Sequence, residues 1–188
     1  MKIPVINAIG KIDQVGFVVD DLREAVNFWA NRCGVGPFFV MEHVPYDKFT
    51  YFDKDSDVDL GLAFSYVGSL QIELIFQHND TPSVYTTLKK TAPNGLVHMA
   101  RYTDDLDAAS SGLKRNGAKV IQYSLDDKGV ETIYLDTDLH NGGLIEFIKV
   151  REVHKRRRGL IQKAVQQWDG TNPYRRIDND NPFAAADS

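Results

Sequence analysis

The sequence predicts an α+β fold made of two tandem βαβββ modules followed by a C-terminal helical tail. Three observations carry this. The first is an internal repeat. Gln14-Val-Gly-Phe-Val-Val-Asp20-Asp21-Leu22-Arg-Glu-Ala25 aligns without gaps onto His98-Met-Ala-Arg-Tyr-Thr-Asp104-Asp105-Leu106-Asp-Ala-Ala109. The second is a later pair in the same order, Gln71-Ile-Glu73-Leu-Ile75 and Leu144-Ile-Glu146-Phe-Ile148. The first pair is offset by 84 positions and the second by 73, so the second copy has lost 11 residues of connecting loop. The third is that each copy shows the same succession of a strand-like run, a helix cap, a helical pattern and three further strand-like runs.

The elements follow in order. Gln14–Val19 is a short apolar run that suits a strand. Asp20 or Asp21 then caps a helix in which Leu22, Ala25, Val26 and Trp29 recur at helical spacing. Gly34 and Gly36 stop it. Pro37–Met41, Leu60–Val67 and Leu70–Phe76 are the next strands, with Gly68-Ser69 as the turn before the last. The segment Asp80–Pro93 reads as a linker carrying a short helix. Val97–Thr103 opens the second copy, Asp104 or Asp105 caps its helix, and Gly117 ends it. Lys119–Ser124, Glu131–Leu135 and Leu144–Val150 complete that copy, with Asn141-Gly142-Gly143 as the turn before its last strand. The organisation expected is therefore a first module over 1–79, a linker over 80–94, a second module over 95–150, and a helix and tail over 151–188.

Composition bounds what such a chain does. It has 188 residues, 43% hydrophobic and 26% charged, within the range of folded soluble proteins. With 22 basic against 26 acidic residues the net charge is −4, which argues against a nucleic-acid partner. No apolar run approaches the roughly 18 residues a bilayer span needs, so no membrane role is expected. Met1–Gly10 does not read as a secretory signal. Cys33 is the single cysteine and forms neither an internal disulfide nor a thiolate cluster, so a reducing, cytoplasmic setting is expected.

Strand alternation places the polar residues. Val15, Phe17 and Val19 form one face of the first strand and should meet the helix, which leaves Gln14 beside Gly16 on the other. His98, Ala100 and Tyr102 share a face of the matching strand, again with a small residue beside the polar one. Ile72 and Leu74 turn Glu73 away from the helix, and Ile145 and Phe147 do the same for Glu146. A carboxylate flanked by aliphatic residues is costly unless it is paired or metal-bound. One imidazole, two carboxylates and one amide oxygen make a mixed site suited to zinc, nickel, cobalt or manganese.

Taken together, Gln14-Val-Gly-Phe-Val-Val-Asp-Asp-Leu, Ile72-Glu73-Leu, His98-Met-Ala and Ile145-Glu146-Phe resemble the vicinal oxygen chelate superfamily. This group includes glyoxalase I, methylmalonyl-CoA epimerase, extradiol dioxygenases and the fosfomycin- and bleomycin-resistance-like proteins. The resemblance covers about Ile12 to Val150. It implies a cupped mixed sheet around a divalent metal held by Gln14, Glu73, His98 and Glu146, with Glu146 and Glu73 as the catalytic carboxylates. It also implies an isomerase, epimerase or lyase of glyoxalase type, moving a proton next to a carbonyl or thioester oxygen. Gln14 stands where the ring-cleaving dioxygenases place a first histidine, so an Fe(II) dioxygenase is the runner-up. A metal-free small-molecule binding protein of the same fold is the alternative from another class. No nucleotide cofactor is expected, and a homodimer is.

Two regions speak to the substrate. Phe38, Phe39, Tyr46, Phe49, Tyr51, Phe52, Phe64 and Tyr66 crowd the first module, most of them as core. The stretch Glu42–Asp59 is too long for a tight hairpin and reads as a pocket lid over a partly apolar substrate. In the tail, Lys155, Arg156, Arg157 and Arg158 read as a solvated helix face, with a thioester or phosphate contact as the sharper alternative. Leu160, Ile161, Ala164, Val165 and Trp168 form a stripe for the core or a second subunit, and Asn172–Ser188 reads as loosely ordered.

Overall fold

Both copies of the repeat lay an apolar strand face under a helix, and a computed structural model shows how the two copies then join. It describes residues 9–91, 95–136 and 144–177. The first half contains β1 (Gln14–Val18), α1 (Leu22–Cys33), β2 (Phe38–Met41), β3 (Tyr46–Tyr51), β4 (Lys54–Asp55), β5 (Leu60–Val67) and β6 (Leu70–Gln77). A connecting helix, α2 (Val84–Thr91), leads to β7 (Leu96–Thr103), α3 (Leu106–Arg115), β8 (Lys119–Asp126), β9 (Glu131–Asp136) and β10 (Leu144–Lys149). Then come α4 (Glu152–Gln166) and β11 (Tyr174–Arg176).

The described strands form one sheet, in the order β11-β2-β5-β6-β1-β7-β10-β9-β8-β3-β4. Each copy contributes a block of four, β2-β5-β6-β1 and β7-β10-β9-β8, and within each block the first strand runs parallel to the last. The blocks meet where β1 pairs antiparallel with β7. That seam brings the two repeated strands, and the polar residue on each, side by side.

The helices are set by local chemistry. The Asp21 carboxylate accepts from the Glu24 amide at 2.8 Å, and Asp105 accepts from the Ala108 amide at 3.0 Å, so the second aspartate of each pair is the cap. Gly34 ends α1 in the left-handed conformation, at φ 65°, which a side chain would strain. Leu22 and Val26 of α1 are buried against Val15, Phe17, Ile72 and Leu74. Leu106, Ala109 and Leu113 of α3 pack on Ile133, Leu135, Ile145 and Phe147. Covering one face of each half-sheet in this way leaves the other face to the polar residues.

Two expectations need correction. Much of Glu42–Asp59, expected as a lid, is the β3–β4 hairpin, and β3 crosses to pair with β8 at the far edge of the other half. Edge strands present unpaired backbone groups, and β3 satisfies those of β8 while burying Phe49. The tail is also more structured than expected. Tyr174–Arg176 adds a parallel strand to β2, tied by Tyr174 and Arg176 donating to Glu42 Oε1 at 2.7 and 3.1 Å. The stripe on α4 takes the first of its two expected partners, the chain's own core. Ile161 is buried against Phe39 and Tyr66, with Ala164 and Val165 beside it, while Leu160 stays exposed. Trp168 fills the space over Gly36, where a Cβ would meet its ring at 2.8 Å. The Asn141-Gly142-Gly143 turn and residues 178–188 lie outside the described residues. Among those described, no helix is long and apolar enough to cross a membrane.

Candidate metal centre

Alternation along four strands brings Gln14 (β1), Glu73 (β6), His98 (β7) and Glu146 (β10) to the face opposite α1 and α3, and all four are buried. The register explains how they fit. Gly16 lies between Glu73 on one side and His98 on the other. Its repeat counterpart, Ala100, lies between Gln14 and Glu146. The ring of His98 occupies the notch that Gly16 leaves, and a Cβ there would stand 2.1 Å from the ring. A glycine at this position is a steric requirement of the site.

His98 Nε2 is 3.2 Å from Glu73 Oε2, 3.2 Å from Glu146 Oε2 and 3.3 Å from Gln14 Oε1. Its other ring nitrogen lies 3.4 Å from the Tyr134 hydroxyl. Gln14 is oriented by Gln71, whose Oε1 accepts from Gln14 Nε2 at 2.9 Å and so turns the Gln14 carbonyl oxygen toward the cluster. Gln71 is held in turn by the Tyr102 hydroxyl, which donates to its oxygen, and by Tyr66, which accepts from its amide at 2.9 Å.

The cluster is short of positive charge. Glu146 is 4% exposed, and its Oε2 has no hydrogen-bond partner. It shares the His98 nitrogen with Glu73, and a buried carboxylate oxygen without a hydrogen bond of its own costs about 1–3 kcal/mol by general estimates. Burial pushes the Glu146 carboxyl up to about 7, with the nearby His98 opposing and Glu73 adding to the rise. Burial by itself would lower His98, but Glu146 and Glu73 outweigh it and hold the imidazole above its usual range. The ligand atoms of Glu73, His98 and Glu146 lie within 4.8 Å of one another. Four donors converging with a free carboxylate oxygen fit a divalent cation, and two carboxylates balance its charge.

A cavity of about 120 Å³ opens beside the cluster, lined by Gln14, Glu73 and Glu146 at one part of its wall. Tyr46, Tyr85, Tyr102 and Tyr134 line it as well. Burial raises all four phenols well above their usual value, so they stay neutral donors. Tyr85 and Tyr134 bond to each other at 2.8 Å. The sequence places Tyr102 on the face of His98 without giving it a role, and it does not single out Gln71 or Tyr134. Gln71 carried a usable signal, lying two residues before Glu73 and hence on the same strand face. Tyr134 carried none, because only the fold sets β9 beside β10.

The basic cluster of α4 divides in two. Lys155 and Arg156 are exposed, Lys155 bonding to Glu152 at 2.9 Å. Arg157 and Arg158 are half-buried and line the cavity together with His154. The expectation of a solvated face fails for these two because residues 154, 157, 158 and 161 share one side of a helix, and Ile161 anchors that side to the core.

A second group of metal-ligating side chains lies elsewhere. His43 Nδ1 and Asp59 Oδ1 are 2.7 Å apart, the His43 and His78 rings stack at 4.5 Å, and His78 Nε2 is 2.8 Å from the Glu42 carbonyl oxygen. Both histidines are exposed.

A family model described as "Glyoxalase/Bleomycin resistance protein/Dioxygenase superfamily" matches residues 13–134. Among solved structures, a hypothetical protein from Bacillus halodurans C-125 superposes with a TM-score of 0.56 at 18% identity, over 76% of this chain and 95% of its own. Methylmalonyl-CoA epimerase from Mycobacterium tuberculosis superposes at 0.55 and 17%, over 79% and 93%. The Streptomyces coelicolor methylmalonyl-CoA epimerase in complex with 2-nitronate-propionyl-CoA gives 0.50 and 18%, over 74% and 94%. At these identities the likeness is one of fold. No curated protein matches the sequence.

Proposed function

From its membership of the glyoxalase/bleomycin resistance protein/dioxygenase superfamily, to which this chain belongs, we propose that it is a divalent-metal-dependent isomerase, epimerase or lyase. It moves a proton on the carbon next to a carbonyl or thioester oxygen. The observation that supports this most directly is Glu146 Oε2, buried without a hydrogen bond and 3.2 Å from His98 Nε2, with Glu73 and Gln14 converging on the same nitrogen.

Gln14, Glu73, His98 and Glu146 would hold the ion, with zinc, nickel, cobalt or manganese suited to this donor set. When bound, it supplies positive charge for the oxygen on which negative charge collects as the proton leaves, worth several kcal/mol in such reactions. The chain does the rest. Glu146, whose Oε2 has no hydrogen bond to lose, takes the proton from carbon, and Glu73, from the opposite half of the sheet, returns it. A positioned carboxylate of this kind contributes roughly 10²–10⁴-fold. The neutral tyrosines wall the cavity against bulk water, and Gln71 keeps the Gln14 oxygen aimed at the cluster.

The test is metal analysis of the purified chain, followed by proton–deuterium exchange on acyl thioesters, including CoA esters, and on α-hydroxy ketones. We expect about one tightly held divalent ion per chain, and exchange that stops on chelation. Oxygen uptake with ring cleavage of a catechol would instead make it a dioxygenase. A chain that holds no metal and binds ligands regardless of chelator would make it a binding protein.

A further inference from the structure

The helix α4 lies outside both copies of the repeat and beyond the stretch matched to the family, yet it sends two guanidinium groups into the cavity. Arg157 has one polar contact among the described residues, to the Met41 sulfur at 3.5 Å, a weak acceptor for a group with five donors. Arg158 is fixed rather than free. Its plane lies 3.6 Å from the centre of the Tyr102 ring, and its Nε donates to the Tyr66 hydroxyl at 3.3 Å. Those contacts leave its two terminal nitrogens without partners among the described residues. On the same side of α4, His154 Nδ1 is buried and has no partner. Half-buried guanidinium groups are rarely left unpaired, because desolvation is offset only when an anion or acceptor is met.

We propose that Arg157 and Arg158 form a binding site for a carboxylate carried by the same small molecule whose reacting carbon lies at the Gln14, Glu73, His98 and Glu146 cluster. The two guanidinium forks match an oxyanion in shape as well as charge, and the Tyr102 and Tyr66 contacts hold one of them ready. Local charge selects a monoanion. Asp126 also lines the cavity, and one of its oxygens is already taken by the amides of Lys128 and Val130 at 3.0 and 2.7 Å. Asp127 also acts on Arg157 but is paired with Lys128 at 3.0 Å, so the two guanidinium groups beside Asp126 leave a single positive charge to neutralise, which suits a carboxylate better than a phosphate dianion. The substrate class is therefore an acyl or keto compound bearing a free acid. Assigning the acid to the substrate rests on the proton-transfer reading above, whereas the anion site itself does not.

The test is calorimetric titration of the zinc-loaded full chain with malonate and with inorganic phosphate. Malonate should bind, and phosphate should bind at least tenfold more weakly. Arg157→Met and Arg158→Met should each weaken malonate by roughly 10- to 100-fold, the size expected for losing hydrogen bonds to a charged group. Arg156→Met, on the exposed side of α4, should change nothing. If Arg158→Met fails to fold, Arg157→Met carries the test, since its side chain supports only the Met41 contact. Glu146→Gln should keep malonate affinity within a few-fold even as zinc is lost. Malonate binding that survives both arginine changes overturns the proposal. So does binding lost in Glu146→Gln but kept in Arg157→Met, which would place malonate on the metal, or phosphate binding tighter than malonate. Arginine-dependent malonate binding in a chain that never holds metal would uphold the anion site and sink the proton-transfer reading.

Discussion

Among the described residues two clusters gather three histidine or carboxylate side chains within ligand distance, and they differ in what surrounds them. At His43, Asp59 and His78 the polar atoms already have partners and both histidines face solvent. No atom of these three side chains is buried without a hydrogen bond, so a cation gains little there. At Glu73, His98 and Glu146 the same chemical types are buried, and one carboxylate oxygen has no hydrogen bond and shares the single His98 nitrogen with Glu73. Ligand types and spacing do not separate the two groups. Burial does, because it turns an unsatisfied atom into a demand for positive charge.

The comparison breaks most sharply at Glu146. In Glu146→Gln the buried cluster should lose at least about 100-fold in metal affinity and all exchange activity, since an amide is a poorer ligand and accepts no proton at neutral pH. Metal content by mass spectrometry and the exchange assay report the two losses separately, and retention of both would remove Glu146 from the site. Gly16→Ala comes next. A new Cβ 2.1 Å from the His98 ring must drive the imidazole out of its notch. Overpacking of this kind typically costs about 1–3 kcal/mol, so the melting temperature should fall by several degrees and the metal should be lost with it. An alanine variant that keeps both would show that His98 has room to spare.

Acid should act on the cavity through α4. Burial, together with the charges of Arg157 and Arg158, pulls His154 down to about 4. Asp126 faces it, with Oδ2 3.9 Å from Nε2, and favours the protonated form without overcoming burial. The unfolded chain then takes up the proton first, near its usual value of about 6.5. Stability from keeping His154 neutral is present above about pH 6.5 and is lost as the pH falls toward 4. His154→Leu should flatten that loss, by an amount on the order of 1–3 kcal/mol, in melting curves taken at pH 7.5 and 4.5. Equal acid sensitivity in both proteins would put the effect elsewhere. The smallest effect is expected at the exposed cluster. Asp59→Asn should leave metal stoichiometry untouched and stability within about 1 kcal/mol, the usual range for a surface ion pair. A drop in bound metal there would place the ion at the wrong cluster.

The repeat made much of this fold legible in the sequence. Period-two alternation around Gln14, Glu73, His98 and Glu146 put one polar residue per strand on the face away from the helices, and the capping aspartates set where the helices begin. These are local properties, carried by neighbours two to four residues apart along the chain. What the sequence did not show depends on pairings between distant segments. The stretch Tyr46–Tyr51 looked like loop because its partner strand lies in the other half of the chain, more than 70 residues away. Tyr174–Arg176 becomes a strand only because the edge of β2 is open beside it. Arg157 and Arg158 looked solvated because a run of basic residues says nothing about which side of the helix will be pinned, and Ile161 decided that by burying itself against Phe39 and Tyr66. The sequence by itself determined the residue types and the strand faces of the candidate site. The tertiary structure alone decided that those faces meet at one seam, that Gly16 is the notch for an imidazole, and that two arginines close the cavity, because each of these is a contact between surfaces that the chain brings together only by folding.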